Sequence, residues 1–118
     1  SQLSGGQRQR VFIAMALAQN TKILFLDEPT TYLDIRYQLD ILRLVKKLNR
    51  EYGITIVMVL HEINQAIHFS DEVIGLKDGK VLVQGDPKDV ITTESISELY
   101  DVHLNVADID GQKFVLTV

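Results

Sequence analysis

Ile23-Leu24-Phe25-Leu26-Asp27-Glu28-Pro29 decides how the chain folds. A short unbroken apolar run closed by two acids and a proline suits a central parallel strand that stops at a polar edge. Downstream, Asp34 can cap a helix that runs to about Glu51. Ile35, Leu39, Leu42, Val45 and Leu48 recur there at helical spacing, and Gly53 follows as a stop. The opposite face carries Arg36, Asp40, Arg43, Lys47 and Arg50 and reads as its solvated side. Ile54 to Leu60 is a second apolar run, rich in β-branched residues, and it ends in His61-Glu62. Strand, helix and strand in this order predict a right-handed parallel crossover, and hence an α/β fold.

On the amino-terminal side, Gln7 to Asn20 has helical composition, with Val11, Ala14, Met15 and Ala18 on one face. Phe12, Ile13 and Leu17 make this helix apolar nearly all round, which predicts burial on more than one side. On the carboxyl side a short helix should turn Ile63, Ala66 and Ile67 inward. Val73 to Lys77 and Lys80 to Gln84 flank Asp78-Gly79, a strong hairpin signal. Asp86-Pro87 reads as an N-cap with proline at the first helical position, and a further helix is expected over Glu94 to Tyr100. Leu104 to Val118 reads as two strands around a turn at Asp110-Gly111. There is no internal repeat and no low-complexity tract.

The 118 residues make one domain at most, and 46% hydrophobic with 24% charged residues is an ordinary globular balance. Twelve Lys plus Arg against 16 Asp plus Glu leave a net charge of -4, which argues against a surface that binds by neutralising nucleic-acid phosphates. No apolar run reaches the ~18 residues of a membrane span. The absence of Cys excludes disulfides and thiolate metal sites, and His61, His68 and His103 form no metal-ligand spacing. The chain opens at Ser1 with neither a Met nor a basic n-region, so no secretory signal is read and the chain is expected to be a fragment.

Three polar clusters stand at helix starts and strand ends, where a parallel α/β fold concentrates chemistry. In Leu3-Ser4-Gly5-Gly6-Gln7, paired glycines let backbone N–H groups approach an anion, the following helix adds its dipole and the Ser4 hydroxyl can donate to a phosphate oxygen. The plain alternative is a helix cap followed by a turn. In Asp27-Glu28, one carboxylate can hold magnesium through water and the other can polarise a water that attacks a phosphoryl group. Two acids capping a turn would look the same. His61 can hydrogen-bond a terminal phosphate, or be an ordinary strand-end histidine.

Taken together, Leu3-Ser4-Gly5-Gly6-Gln7 with Arg8-Gln9-Arg10, then Ile23 to Thr30, then Leu33-Asp34, then His61, resembles the ATP-binding subunits of the ABC transporter superfamily. The likeness runs from Ser1 to Pro87 and includes the signature pentapeptide, a Walker B strand, a D-loop and a switch histidine. Thr30 to Ile35, His61 to Ala66, and Gly79-Lys80-Val81 through Gly85-Asp86-Pro87 are similar to importers of iron chelates, ferric siderophores and vitamin B12.

The resemblance implies a P-loop NTPase-like parallel sheet flanked by helices, here incomplete, with ATP and Mg2+ as ligands. Ser4, Gly5, Gly6 and Gln7 would bind nucleotide held by the opposite subunit of a head-to-tail dimer. Asp27 would hold the metal, Glu28 and His61 would be catalytic, and Asp34 would lie at the dimer interface. One domain is expected, with the signature motif and helix over 1–20, the Walker B to switch-histidine core over 21–85 and a carboxyl-terminal cap over 86–118. The protein would power import through membrane permease subunits from the cytoplasmic face of the cell membrane, with no nucleic-acid partner.

The phosphate loop Gly-x-x-x-x-Gly-Lys-Ser/Thr is absent, since the one Gly-Lys pair, Gly79-Lys80, has Ile74 and Val81 where Gly and Ser or Thr are required. The chain alone is therefore expected to be inactive, and its uncovered apolar strand faces should favour self-association. Two other readings are a non-transport ABC-type ATPase of DNA repair or translation, and an inert half-site interaction module. The short path from Asp34 to His61 leaves no room for the insertions usual in the former.

Overall fold

The computed structural model describes residues 7, 11, 14, 15, 18 and 20–117. It divides into two compact units, Ser1–His61 and Glu62–Val118. In the first, β1 (Ile23–Asp27) is followed by α1 (Ile35–Tyr52) and β2 (Thr55–Val59). The strands pair in parallel, from Ile23 opposite Thr55 to Asp27 opposite Val59, as the crossover pattern predicts. Side chains alternate across a strand, so Leu24 and Leu26 share one face. They are buried with Ile41, Val45 and Leu48 of α1 and with Ile54, and Ile56 and Met58 pack on this core.

The opposite face is not buried, in line with the expectation of uncovered apolar strand faces. Phe25 is 71% exposed there, and Ile23, Val57 and Val59 are exposed beside it. A parallel strand is buried on both faces only when helices cover both sides, and the α1 core lies on one. The amino-terminal helix departs from expectation. Gln7, Val11, Ala14, Met15 and Ala18 are helical but exposed, and Phe12, Ile13 and Leu17 lie outside the described residues.

Helix α1 stops where glycine allows it. Gly53 adopts φ 66°, and its N–H donates to the Asn49 carbonyl at 3.0 Å while the Ile54 N–H reaches Leu48 at 3.4 Å. The Asn49 side chain closes the joint by donating to the Ile54 carbonyl at 2.8 Å. The start differs from the sequence reading. Asp34 holds the N-cap position with extended backbone, but its side chain makes no capping hydrogen bond. Ile35 is exposed, because burial along α1 begins only at Ile41 and Leu42 in the second turn.

The second unit contains α2 (Ile63–Phe69), β3 (Val73–Lys77), β4 (Lys80–Gly85), α3 (Pro87–Val90), α4 (Thr93–Tyr100), β5 (Asn105–Ile109) and β6 (Gln112–Leu116). Ile67, Ile91, Ile96 and Val115 form its core. The antiparallel pair β3–β4 turns at Asp78 (φ 52°) and Gly79 (φ 75°), the two left-handed residues that a two-residue hairpin of this kind requires. Pro87 starts α3 behind Asp86, whose carboxylate accepts from the Lys88 N–H at 2.9 Å. A reciprocal capping box of Thr92 and Ser95, at 3.0 Å each way, starts α4.

The tail hairpin β5–β6 lies against α2. Asn64 donates to the Val115 carbonyl at 3.1 Å and accepts from the Val115 N–H at 2.8 Å. One turn along the same helix face, His68 Nε2 donates to the Lys113 carbonyl at 3.1 Å, and its ring sits edge-on to Phe114 at 4.5 Å.

Candidate functional site

Because β1 and β2 are parallel and in register up to Asp27 and Val59, the residues that follow both strands emerge at one edge of the sheet. The Glu28 N–H donates to the Val59 carbonyl at 2.9 Å, one bond beyond the strand ladder. At that point the backbone of Glu28 turns left-handed, with φ 51°, an unusual conformation for a residue with a Cβ. Buried Pro29 and Thr30 follow, and the Thr31 N–H closes the turn on the Glu28 carbonyl at 3.2 Å.

The turn brings Glu28 to His61. His61 Nε2 is hydrogen-bonded to Glu28 Oε1, across 33 positions of sequence. Glu28 Oε2 faces the Thr31 hydroxyl at 3.5 Å. The pair is open to solvent, with 73% of the His61 side chain and 37% of the Glu28 side chain exposed. A carboxylate held in this way can orient or deprotonate a water, and an imidazole beside it can donate to an anion.

Asp27 precedes the turn and lies on the exposed face with Ile23 and Phe25. Among the described residues no three His, Cys, Asp or Glu side chains are grouped to hold a metal ion. One accessible carboxylate fits magnesium, a hard cation that keeps several waters and takes other ligands from substrate phosphates, and it does not fit a caged structural metal. Asp34 stands exposed at the start of α1. Gln7 is helical and exposed, whereas Ser4, Gly5 and Gly6 lie outside the described residues. Thr31 was quoted in the sequence only within Thr30 to Ile35, without a role at the site, although its place three residues after Glu28 in a turn-forming stretch is a usable signal.

The sequence of residues 1–31 matches the ABC transporter family. Over 106 residues the chain is 51% identical to the ferric enterobactin transport ATP-binding protein FepC of Escherichia coli (strain K12), covering 90% of this chain and 39% of that protein. The chain is similar to ABC transporter ATP-binding proteins over nine-tenths of its length. Among solved structures, an ABC transporter assigned to the metal-chelate type, in an inward-facing conformation, superposes with a TM-score of 0.82 at 30% identity, over 96% of this chain and 45% of that one. The dimeric ATP-binding cassette MJ0796, in a post-hydrolysis state with ADP and Pi, gives a TM-score of 0.61 at 50% identity, over 72% and 36% of the two chains.

The chain thus spans about two-fifths of the length of the curated relatives it matches. The ABC family match contains Ser4 to Gln7, Asp27 and Glu28, so it includes both the signature stretch and the acidic pair. The fold is that of part of an ABC ATP-binding domain, with a parallel pair, its crossover helix and a separate unit of hairpins and short helices. Among the described residues no helix is long and apolar enough to cross a membrane.

Proposed function

We propose that this chain is part of the ATP-hydrolysing subunit of an importer for an iron chelate. The observation that carries the reading is the contact between Glu28 and His61 at the open edge of the parallel pair. Its two units would be parts of one ATP-binding domain, with the signature motif and its helix over 1–20, the core over 21–85 and a cap over 86–118. Glu28 orients the attacking water and accepts its proton, while His61 donates to the γ-phosphate. Nucleotide and water would enter between these two side chains and replace their mutual hydrogen bond.

Asp27 would hold magnesium through water, and the ion would supply positive charge to offset that of the phosphates. Ser4, Gly5, Gly6 and Gln7 present backbone N–H groups and a hydroxyl to the nucleotide of a second ATPase subunit arranged head to tail, with Asp34 at the seam. The dimeric likeness supports that arrangement. Permease subunits would hold the protein at the cytoplasmic face of the membrane. The iron-chelate assignment is supported by a relative named for ferric enterobactin transport.

The test is ATP turnover and nucleotide binding by the full-length protein and its E28Q and H61A variants. Both variants should bind MgATP with wild-type affinity and hydrolyse it at least ~100-fold more slowly. Wild-type turnover by E28Q would refute the assignment, and uptake of a labelled ferric siderophore in cells tests the substrate class.

A further inference from the structure

We infer that Thr31 is a positioning residue for the Glu28 carboxylate, holding one of its oxygens while the other meets the attacking water. The inference rests on the proposed role of Glu28 in hydrolysis. Each oxygen of that carboxylate has its own partner. Oε1 is hydrogen-bonded to His61, and Oε2 accepts from the Thr31 hydroxyl at 3.5 Å. The second contact is at the long end for a hydroxyl donor, so it orients the carboxylate more than it binds it. In the proposed reaction nucleotide and water replace the bond to His61. The Thr31 contact then remains, and a glutamate side chain with several free torsions keeps a fixed end.

The backbone delivers the hydroxyl to that place. Thr31 also donates its N–H to the Glu28 carbonyl at 3.2 Å, so one residue grips Glu28 through main chain and side chain together. Beneath it the turn stands on buried Pro29 and Thr30. At its far end the Leu33 N–H donates to the Thr30 carbonyl at 3.3 Å, and Gln38 Nε2 on α1 donates to the Leu33 carbonyl at 2.8 Å. Two left-handed residues that are not glycine, Glu28 at φ 51° and Tyr32 at φ 66°, enclose Thr31. Such conformations persist where the surroundings over-determine the backbone, and they collect at sites that need fixed geometry. Threonine suits the position because its β-branch restricts χ1, which limits where the hydroxyl can point.

The experiment uses the full-length protein with T31V, which removes the hydroxyl and keeps the branched shape, and T31S, which keeps the hydroxyl. T31V is also made in the E28A background. MgATP turnover, KM and fluorescent-nucleotide binding are measured for each, with thermal melting alongside. Thr31 is exposed, so the substitutions ask little of the core.

T31V should lower kcat roughly 3- to 10-fold, with KM and nucleotide affinity changed less than about twofold. T31S should recover at least half of the lost rate. In the E28A background T31V should cause no further loss, because a residue that acts through Glu28 has nothing left to position. Wild-type kcat in T31V, a T31S variant as slow as T31V, or a further loss in the E28A background overturns the inference. If E28Q has lost its turnover in the same assay, the hydrolytic reading survives any of these results. If T31V fails to fold, T31A against T31S makes the same decision. Wild-type turnover by E28Q overturns the hydrolytic reading, and this inference with it.

Discussion

Replacing Glu28 separates what the residue does for chemistry from what it costs the fold. Its left-handed backbone, φ 51°, is disfavoured by roughly 1–2 kcal/mol for any residue with a Cβ. Its carboxylate contacts His61 and Thr31 in an exposed setting, which together contribute about 0–1 kcal/mol. Glu28→Ala keeps the unfavourable backbone and loses the contacts, so it should fall about 0–1 kcal/mol below wild type. Glu28→Gly loses the same contacts but relieves the backbone, at about 0.5–1 kcal/mol of extra unfolded-state entropy.

The glycine variant should therefore be the more stable of the two by about 0.5–1 kcal/mol. That inverts the usual order, in which glycine lies below alanine within regular structure. Urea titration of the full-length wild type and both variants, analysed with a common slope, measures the difference. Both variants should lose turnover by at least ~100-fold, because neither offers a base. An alanine variant clearly more stable than the glycine one would refute the account of the Glu28 turn.

Gly75→Ala should destabilise by about 1–3 kcal/mol, since an added Cβ would sit 2.6 Å from Cγ2 of Val83, a short side chain with little room to move; urea unfolding reads the loss. Thr92→Ala breaks the capping box of α4 and should cost about 1 kcal/mol, while Thr92→Ser recovers most of it in the same assay. Alkali should weaken the fold through two groups. Burial, and then the Glu62 charge, raise the Tyr100 pKa above 10.0, so the unfolded chain ionises first and stability falls as pH rises from there to the higher folded value. A hydrogen bond to Asp101 raises the Lys77 pKa above 10.5, so its contribution is complete below that pH and is lost as pH rises through the folded value. Thermal melts of the Tyr100→Phe and Lys77→Met variants between pH 9 and 11.5 should each show a shallower decline than wild type.

Features set by local backbone chemistry were legible in the sequence. Asp78-Gly79 and Asp110-Gly111 both turn through positive φ, and Gly53 ends α1 where it was expected. Features set by distant partners were not. The sequence put Glu28 and His61 at the ends of two strands, but their contact follows from a parallel register that no local pattern encodes. Asn64 is an unremarked polar residue in a short helix until its partner is seen 51 positions away. Burial was misjudged at Val11 and Met15, because periodicity reports which residues share a face and not whether anything covers it. Asp34 took the cap position without the capping bond, since position depends on where the helix starts and the bond on how one side chain turns.

The three hydrogen bonds from α2 to β6 all end on main-chain atoms: the carbonyl and N–H of Val115 and the carbonyl of Lys113. Those bonds ask nothing of the tail's side chains except that position 115 keep its N–H, which excludes proline alone. Core packing adds the demand that residue 115 stay apolar. The exposed positions Gln112 and Leu116 answer to neither requirement. Evolution can rewrite that outer surface while the grip on α2 stays the same, which makes the tail hairpin a place where related proteins could diverge in what they meet without altering how they fold.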